Sequence, residues 1–296
     1  MPDKTYVLIT AAHNEERYIE GTIRSVLGQS IRPLRWIIVS DASTDRTDEI
    51  VSQYARENPF IEQVRLEKSH RHDFAAKVHA IRSGYRCLEN VKYGYLGILD
   101  ADTSFGTDYY STLLNRCKME PRLGITGGFI YEDRDGVFTS RQSNRVFSVA
   151  GATQFFRREC FEEIGGISPL RYGGEDWGAE VSARMMGWIV SAWPDLVVFH
   201  HRSTGATGGL LHSRFQQGKM DYSLGCLPAF EVVKCAARLT EKPVVIGGLA
   251  RLAGFAWSYG AGGDRAVSKE FVQFLRKEQR WRLKEFMIPV GITKQK

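Results

Sequence analysis

Short apolar segments alternate with helical patterns throughout the first hundred residues, and this alternation limits the fold more than any other feature. Residues 35–41, RWIIVSD, form an unbroken apolar run of the kind found in a strand buried on both faces. Ahead of it, Ile19, Ile23 and Leu27 share one face of a helix whose predicted N-cap is Asn14. Strands and helices that alternate at this spacing build a mostly parallel sheet with helices on both faces. The sequence therefore predicts an α/β, Rossmann-like fold.

Two aspartates directly follow one of the apolar runs, in the segment YLGILDADTSF of residues 95–105. In an extended chain Asp100 and Asp102 point to the same side, because side chains alternate with a period of two. Two converging carboxylates repel each other unless a cation lies between them, and Mg²⁺ or Mn²⁺ accepts such oxygen ligands. A DxD triplet also occurs in solvated turns, so both interpretations stay open at this point.

Further polar residues fall at the carboxyl ends of the predicted strands, where ligands bind to sheets of this kind. Asp41 ends the RWIIVSD run, and its carboxylate can accept a hydrogen bond from a nucleobase N–H or a ribose hydroxyl. The ring of His13 can stack on a base, although an ordinary surface histidine explains it equally well. Among Arg71, Lys77 and Arg82 we choose Lys77 to face a diphosphate, and we interpret Arg82 as part of a solvated helix face.

Two acids at a glycine-rich helix start form another candidate site, in the segment RYGGEDWGAEVSARMMG. Glu175 and Asp176 can simply compensate the helix dipole, an effect of about 0.3–1 kcal/mol each. A loop tip that carries two acids and Trp177 also suits a base presented to an acceptor molecule. Both interpretations stay open here.

Two histidines end the apolar strand in the segment LVVFHHRS. The side chains of His200 and His201 point in opposite directions in a strand, so at most one of them faces a site at the sheet edge. Neutral imidazole is a good Mn²⁺ ligand, and a core or surface histidine is the alternative interpretation.

Five segments in this order resemble family-2 glycosyltransferases of the GT-A fold, and the resemblance covers about residues 5–205. The segments are ITAAHNEERYIEGTIRSVLGQS, IIVSDASTD, LDADTSF, GATQFFRRECFEEIGG and GEDWGAEVSARMMGW. Each motif alone is modest, but the ordered set is specific. The resemblance implies an enzyme that transfers a sugar from a nucleotide donor and inverts its anomeric centre.

The resemblance also implies the metal ligands and the base. Asp102, helped by Asp100, would bind Mn²⁺ or Mg²⁺ at the donor diphosphate. His200 or His201 matches a position that ligates the metal in some relatives, and His200 is the predicted ligand. Asp176 would be the general base on the acceptor hydroxyl, with Glu175 beside it. An inverting displacement needs such a base opposite the leaving diphosphate.

The donor and acceptor sites follow from the same resemblance. Asp41 would hold the uracil or ribose, His13 would take the place of an aromatic residue that stacks on the base, and Trp177 would contact the acceptor. The full set assigned to the nucleotide sugar is Ala11, His13, Glu15, Asp41, Lys77, Asp100 and Ala101. UDP is the predicted nucleotide, while GDP and dTDP stay open. The acceptor is a saccharide or a lipid-linked molecule.

Other functions fit the sequence less well. A non-catalytic protein that binds a nucleotide or sugar would be favoured by loss of Asp102 or Asp176, and both are present. A dinucleotide-binding oxidoreductase needs GxGxxG after the first strand, where ITAAHNEE has no glycine. A nucleotidyltransferase needs a glycine-rich basic loop at the same turn, and the sequence lacks this loop as well. A nucleic-acid-binding module fits only the basic tail, which carries no recognisable motif.

Basic residues concentrate at the end of the chain. The formal net charge is +6, and residues 214–296 contain 15 Lys and Arg against 7 Asp and Glu. We predict a GT-A domain over residues 1–212 and a basic, mainly helical C-terminal extension over residues 213–296. In the extension, LLHSRFQQGKMDYSLG and FVQFLRKEQRWRLKEF mix apolar and basic residues as interfacial helices do, which predicts contact with an anionic membrane surface. Packing of residues 220–260 on the GT-A domain is the alternative.

Cysteine usage and the N-terminus favour a cytoplasmic protein. The five cysteines form no CxxC pair, which argues against a disulfide framework or a zinc site. The opening MPDKTYVLIT has no basic region followed by an apolar core, so we expect no signal peptide. No apolar run approaches the ~20 residues that span a bilayer. We therefore expect a cytoplasmic enzyme, with peripheral contact to the inner membrane face.

Overall fold

The structure is a computed structural model that describes residues 5–67, 75–134, 136–202, 209–239 and 243–287. Arg71, weighed above as a diphosphate ligand, lies outside the described residues. The strands are β1 (Tyr6–Ala12), β2 (Arg35–Asp41), β3 (Ile61–Leu66), β4 (Tyr95–Ile98), β5 (Thr103–Phe105), β6 (Leu123–Arg134), β7 (Val137–Ser140), β8 (Phe155–Arg157) and β9 (Ile189–His200). The helices are α1 (Ile19–Leu27), α2 (Thr47–Glu57), α3 (Ala75–Arg86), α4 (Tyr109–Met119), α5 (Arg158–Glu163), α6 (Glu175–Met185), α7 (Leu210–Ser223), α8 (Pro228–Ala237), α9 (Ile246–Gly260) and α10 (Lys269–Met287).

One sheet carries all the described strands, in the order β3-β2-β1-β4-β8-β6-β9-β5, with β7 paired to β6. The first four strands of this order are parallel, as the strand–helix alternation predicts. Strand β8 then joins β4 to β6 in antiparallel pairing on both sides. Because β1, β2 and β4 run in one direction, their carboxyl ends meet at one edge of the sheet.

Helices cover both faces of the sheet, because successive residues of the central strands point to opposite sides. Leu8 packs with residues of α1, α2 and α4, whereas Ile9 packs with residues of α3, α5 and α6. Gly84 lets α3 approach the sheet closely, since a Cβ at this position would lie 2.9 Å from a methyl group of Ile9. The α/β layering that the sequence predicts is therefore present.

The first helix begins later than the sequence predicts. Helix α1 starts at Ile19, and Asn14 is not its N-cap but has a positive φ of 54°. The Asn14 side-chain oxygen instead accepts a hydrogen bond from the Thr44 N–H at 2.8 Å, and the Asn14 N–H donates to Ser43 Oγ at 3.2 Å. Asn14 therefore ties the segment after β1 to the segment after β2, at the edge where ligands are expected.

The chain forms two compact units. Unit 1 consists of Met1–Leu170 and Gly174–Thr204, and unit 2 consists of Arg171–Gly173 and Gly205–Lys296. Unit 1 contains the sheet and helices α1 to α6, and unit 2 contains helices α7 to α10. The predicted domain boundary after residue 212 lies inside helix α7. No helix within the described part of the chain is long and apolar enough to cross a membrane.

Two glycines bring helices α7 and α9 into backbone contact within unit 2. A Cβ at Gly218 would lie 1.9 Å from the carbonyl oxygen of Arg251, and a Cβ at Gly254 would lie 2.0 Å from the carbonyl oxygen of Phe215. Real Cβ atoms do not approach backbone so closely, so the crossing requires glycine at both positions.

Candidate active site

The backbone between Asp100 and Asp102 is fixed by α1. Thr22 Oγ1 donates to the carbonyl oxygen of Ala101 at 2.7 Å and accepts from the Thr103 N–H at 3.1 Å. Thr22 is itself buried, so these bonds are shielded from water. The two aspartates thus follow β4 in a defined position rather than in a solvated turn.

Asp100, Asp102 and His200 converge at this edge of the sheet. Each residue offers one donor atom, and the three atoms lie within 4.8 Å of one another. Strand β9 brings the histidine there, because His200 pairs in register with Thr103, the residue after Asp102. Asp102 and His200 are 6% and 9% exposed, so both donors are largely withdrawn from water.

The charges of Asp102 and His200 stabilise each other. His200 Nε2 lies 3.2 Å from Asp102 Oδ1. Burial is the largest influence and opposes charge on both groups. Their mutual hydrogen bond and opposite charges, together with neighbouring charges, outweigh it, so the pKa of Asp102 is lowered and that of His200 is raised. His200 Nδ1 is buried, and no hydrogen-bond partner for it occurs among the described residues. Two carboxylates and an imidazole are a donor set that suits a divalent cation, and Mn²⁺ more than Mg²⁺, which takes oxygen ligands.

His201 faces away from these donors. Its Nε2 lies 2.8 Å from Ser104 Oγ, and its ring stacks on Tyr18. Burial lowers the pKa of His201. Of the two adjacent histidines, His200 is therefore the one beside the aspartates.

Lys77 lies against the same carboxylates from helix α3. Its Nζ is 2.5 Å from Asp100 Oδ1. Burial disfavours the charged lysine, but Asp100 and Glu175 outweigh this effect and raise its pKa, so Lys77 stays protonated. The ammonium group thus links the aspartate pair to the acids at the start of α6.

His13 and Asp41 lie together at the ends of β1 and β2. His13 Nδ1 is 2.6 Å from the backbone oxygen of Asp41, which orients the ring. The side chain of Asp41 is largely buried, and the next residue, Ala42, has a positive φ of 51°. Strands β1 and β2 are parallel neighbours up to this point, with Ala12 opposite Ser40. Ala11 belongs to the same strand end and is half-buried.

The acids of α6 begin directly after Gly174, whose φ of 86° suits glycine. Asp176 Oδ2 accepts a hydrogen bond from the Gly151 N–H at 3.1 Å, and Oδ1 accepts from the Trp177 N–H at 2.8 Å. A Cβ at position 151 would lie 3.0 Å from Asp176 Oδ2, so glycine gives this carboxylate its space. Glu175 is half-buried, and burial followed by the charge of Asp176 raises its pKa to about 7.

A comparison with known families decides the class of protein. The model of the glycosyl transferase family 2 matches residues 7–173, more than half of the chain. The chain belongs to this family. The match contains the aspartate pair, Lys77 and the ends of β1 and β2.

Curated relatives match part of the chain. The poly-beta-1,6-N-acetyl-D-glucosamine synthase of Staphylococcus aureus (strain COL) is 28% identical over 144 residues, which are 48% of this chain and 33% of the synthase. The chain thus spans about a third of the length of the curated relatives it matches.

Two solved structures share the fold. One is the mannosyltransferase PcManGT from Pyrobaculum calidifontis in complex with GDP-Man and Mn²⁺, with a TM-score of 0.54, 20% identity, and coverage of 96% of this chain and 83% of that chain. The other is S. aureus TarS 1–349 in complex with UDP-GlcNAc, with a TM-score of 0.55, 13% identity, and coverage of 93% and 82%. The predicted GT-A fold with C-terminal helices is confirmed.

Sequence reasoning did not identify Arg202 as a residue of the candidate site. Its guanidinium forms an ion pair with Glu15 and lies 3.7 Å from Asp102 Oδ2. Glu15 is buried, and burial followed by the charge of Asp102 raises its pKa to about 7. Glu15, which the family resemblance assigned to the nucleotide sugar, thus lies beside the candidate metal ligands. The signal for Arg202 was present, because it directly follows the two histidines that end β9.

Glu180 also emerged only from the structure as part of the site. Glu180 Oε1 accepts hydrogen bonds from the Val149 N–H at 2.5 Å and from Ser148 Oγ at 3.2 Å. One turn earlier on the same helix, Asp176 binds Gly151. Helix α6 therefore holds the segment 148–151 through two carboxylates.

A second group of donor atoms lies in unit 2. Asp221, Cys226 and Glu231 also have donor atoms within 4.8 Å of one another. Lys234 and Arg251 form ion pairs with both carboxylates, so this cluster is already neutralised and we assign no cation to it.

Proposed function

We propose that this glycosyltransferase moves a sugar from a nucleotide-diphosphate donor to a hydroxyl of a saccharide or lipid-linked acceptor, with inversion at the anomeric carbon and with a divalent metal ion. The product belongs to polysaccharide or glycoconjugate biosynthesis. The observation that supports this proposal most strongly is the convergence of Asp100, Asp102 and His200 at a strand edge, beside a separate pair of acids. One group suits the donor diphosphate and the other suits the acceptor.

Asp100, Asp102 and His200 would hold the metal, with Mn²⁺ favoured over Mg²⁺ because of the imidazole. When bound, the metal supplies Lewis-acid stabilisation of the charge on the departing diphosphate. Lys77 adds a fixed positive charge on the same side, since its ammonium contacts Asp100. Arg202 adds another beside Asp102.

Asp41 and His13 would bind the nucleoside. The carboxylate of Asp41 can accept from a base N–H or a ribose hydroxyl, and the ring of His13 offers a flat surface held by the Asp41 backbone. Ala11 and Ala101 would contact the nucleotide sugar through their backbone. We propose UDP as the nucleotide. The TarS structure contains UDP-GlcNAc and the mannosyltransferase structure contains GDP-Man, so GDP is the second choice.

Asp176 would accept the proton of the acceptor hydroxyl. The N–H groups of Gly151 and Trp177 orient its two oxygens, so the carboxylate is positioned before the acceptor arrives. The indole of Trp177 would contact the acceptor. Glu175 shares the helix start, and its pKa of about 7 keeps it partly protonated near neutral pH, which reduces repulsion beside Asp176.

We propose that the reaction takes place in the cytoplasm, at the inner face of the membrane. Supporting this is the excess of basic residues in the last part of the chain, 15 Lys and Arg against 7 Asp and Glu in residues 214–296. Anionic lipid attracts such a surface. A lipid-linked acceptor would be available at the same face.

Thermal unfolding tests the donor site. The wild type, Asp102→Asn and the control Asp108→Asn are heated with UDP, GDP, dTDP or CMP, each with and without Mn²⁺. Asp108 is an exposed acid of the same unit, so its substitution controls for charge alone. A ligand that binds the folded state must raise the unfolding temperature. We expect a Mn²⁺-dependent rise with one nucleotide that Asp108→Asn keeps and Asp102→Asn loses.

A non-catalytic sugar- or nucleotide-binding protein is the second candidate function. The same unfolding series followed by a turnover assay separates the two. Nucleotide binding without turnover of any donor would favour the second candidate. No shift with any nucleotide would contradict the proposed donor site itself.

A further inference from the structure

The outer face of helix α9 is apolar. Ile246, Leu249 and Trp257 are 56%, 56% and 67% exposed, and Ala253 between them is exposed as well. Their spacing of three, four and four residues places these side chains on one face of the helix. Apolar side chains in such a continuous stripe mark an interaction site, unlike single exposed residues.

The inner face of the same helix carries its charge. Arg251 is the single charged residue of α9, and it is buried. Its guanidinium binds Asp221 Oδ2 at 2.6 Å and Glu231 Oε1 at 3.3 Å, and Lys234 Nζ binds the other oxygen of Asp221 at 2.9 Å. Helix α9 thus buries an ion-pair cluster and leaves apolar side chains in contact with solvent, the reverse of an ordinary surface helix.

The exposed apolar surface continues ahead of the helix. Val244 and Val245 are 56% and 47% exposed, and both precede the first turn of α9. Val245 has a positive φ of 62°, which is rare for a β-branched residue. The strained backbone of Val245 is of a kind that clusters where a protein contacts a ligand or partner, and both valines extend the apolar surface beside Ile246.

The charge of this part of the chain selects the partner. Residues 214–296 have a net charge of +8, from 15 basic and 7 acidic residues. Asp221, Glu231, Lys234 and Arg251 balance each other inside the cluster, so the whole excess is carried by residues outside it. Two copies of such a basic unit repel each other, whereas an anionic lipid surface attracts it. Tryptophan is also favoured at the interface of bilayers.

We propose that Val244, Val245 and the outer face of α9, formed by Ile246, Leu249, Ala253 and Trp257, insert into the interface of an anionic bilayer. This proposal builds on the membrane association in the proposed function and assigns it to one surface. The sequence patterns favoured residues 210–225 and 271–286 as the membrane contact, whereas this proposal makes the α9 face the main contact. Lipid binding is measured without any turnover assay. A negative result would therefore contradict the membrane contact but not the proposed glycosyl transfer.

Vesicle flotation of the full chain tests the proposal. Wild type, the double variant Leu249→Glu/Trp257→Glu and the control Met119→Glu are mixed with phosphatidylcholine vesicles, with or without phosphatidylglycerol. Met119 is 84% exposed in unit 1, so its substitution controls for the effect of an added negative charge, of which the double variant carries two. We expect wild type and Met119→Glu to float with anionic vesicles at low salt. The double variant should bind these vesicles at least about tenfold more weakly.

A second measurement uses the native side chain. Brominated phosphatidylglycerol should quench part of the tryptophan fluorescence of wild type, and Trp257→Phe should lose that part. Absence of flotation at low salt would overturn the proposal, as would equal binding by the wild type and the double variant. A lipid-free dimer that the double variant converts to a monomer would assign the face to a second copy instead.

Discussion

The buried carboxyl of Glu180 gives this protein a pH-dependent stability that can be calculated. Glu180 is 1% exposed, and burial followed by the charge of Asp176 raises its pKa from 4.5 to about 8, although Arg184 acts against this. Between these two pH values the folded state keeps a proton that the unfolded state has lost. The free energy of unfolding must therefore fall as the pH rises through this window.

The size of the effect follows from the shift. Each pKa unit corresponds to about 1.4 kcal/mol, so the full window is worth roughly 4–5 kcal/mol. Glu180→Gln removes the titration but keeps an oxygen that can accept from Val149 and Ser148. The variant should gain stability relative to wild type as the pH rises from 5 to 8, by roughly 2 kcal/mol or more after relaxation of the site.

Urea unfolding at fixed temperature measures this difference. Wild type, Glu180→Gln and the control Glu159→Gln are unfolded at several pH values between 5 and 8.5, and the difference in unfolding free energy is plotted against pH. Glu159 is exposed, so its variant should show a flat difference. A flat difference for Glu180→Gln as well would refute the conclusion that this buried carboxyl takes up a proton on folding.

Three further outcomes follow from the geometry. Gly151→Ala should reduce kcat several-fold with little change in donor KM, because its Cβ would lie 3.0 Å from Asp176 Oδ2 and displace the proposed base; steady-state kinetics with the identified donor measure this. His200→Ala should raise the Mn²⁺ concentration needed for the nucleotide-dependent rise in unfolding temperature by at least about tenfold. An unchanged Mn²⁺ requirement would remove His200 from the ligand set. Gly254→Ala should destabilise the protein by about 3 kcal/mol or more in urea unfolding, because its Cβ would meet a carbonyl oxygen of α7 at 2.0 Å, whereas Gly260→Ala, with open space around it, should be neutral or stabilising.

The sheet edge was predictable from sequence because its signals are local. The apolar run that ends in Asp41 and the run that ends in Asp100 both lead to parallel strands, and parallel strands deliver their last residues to one edge. The alternation of side chains likewise anticipated that only one of His200 and His201 lies near Asp102. These inferences need periodicity and strand direction, and no knowledge of distant contacts.

The remaining features depend on contacts between distant residues, which periodicity does not encode. Arg202 binds Glu15 across 187 positions of the chain, and nothing in either local pattern indicates this pairing. The residue type of Asn14 favours a helix cap. Its side chain instead accepts a hydrogen bond from Thr44, which lies 30 positions further along the chain. The apolar side of α9 left two interpretations open, since a hydrophobic stripe alone does not show whether it is covered.

The proposed function requires that Asp176 assists an inverting transfer at a metal-dependent donor site. Slow hydrolysis of the donor tests it without knowledge of the acceptor, because water then takes the acceptor's place. Proton NMR follows the first-formed free sugar from an α-linked donor, with Mn²⁺ present, for wild type and Asp176→Asn. We expect the β-anomer to appear first, and Asp176→Asn to slow its release at least about a hundredfold while nucleotide binding is unchanged. Release of the α-anomer first would rule out inversion, and an equal rate in Asp176→Asn would remove Asp176 from the base role.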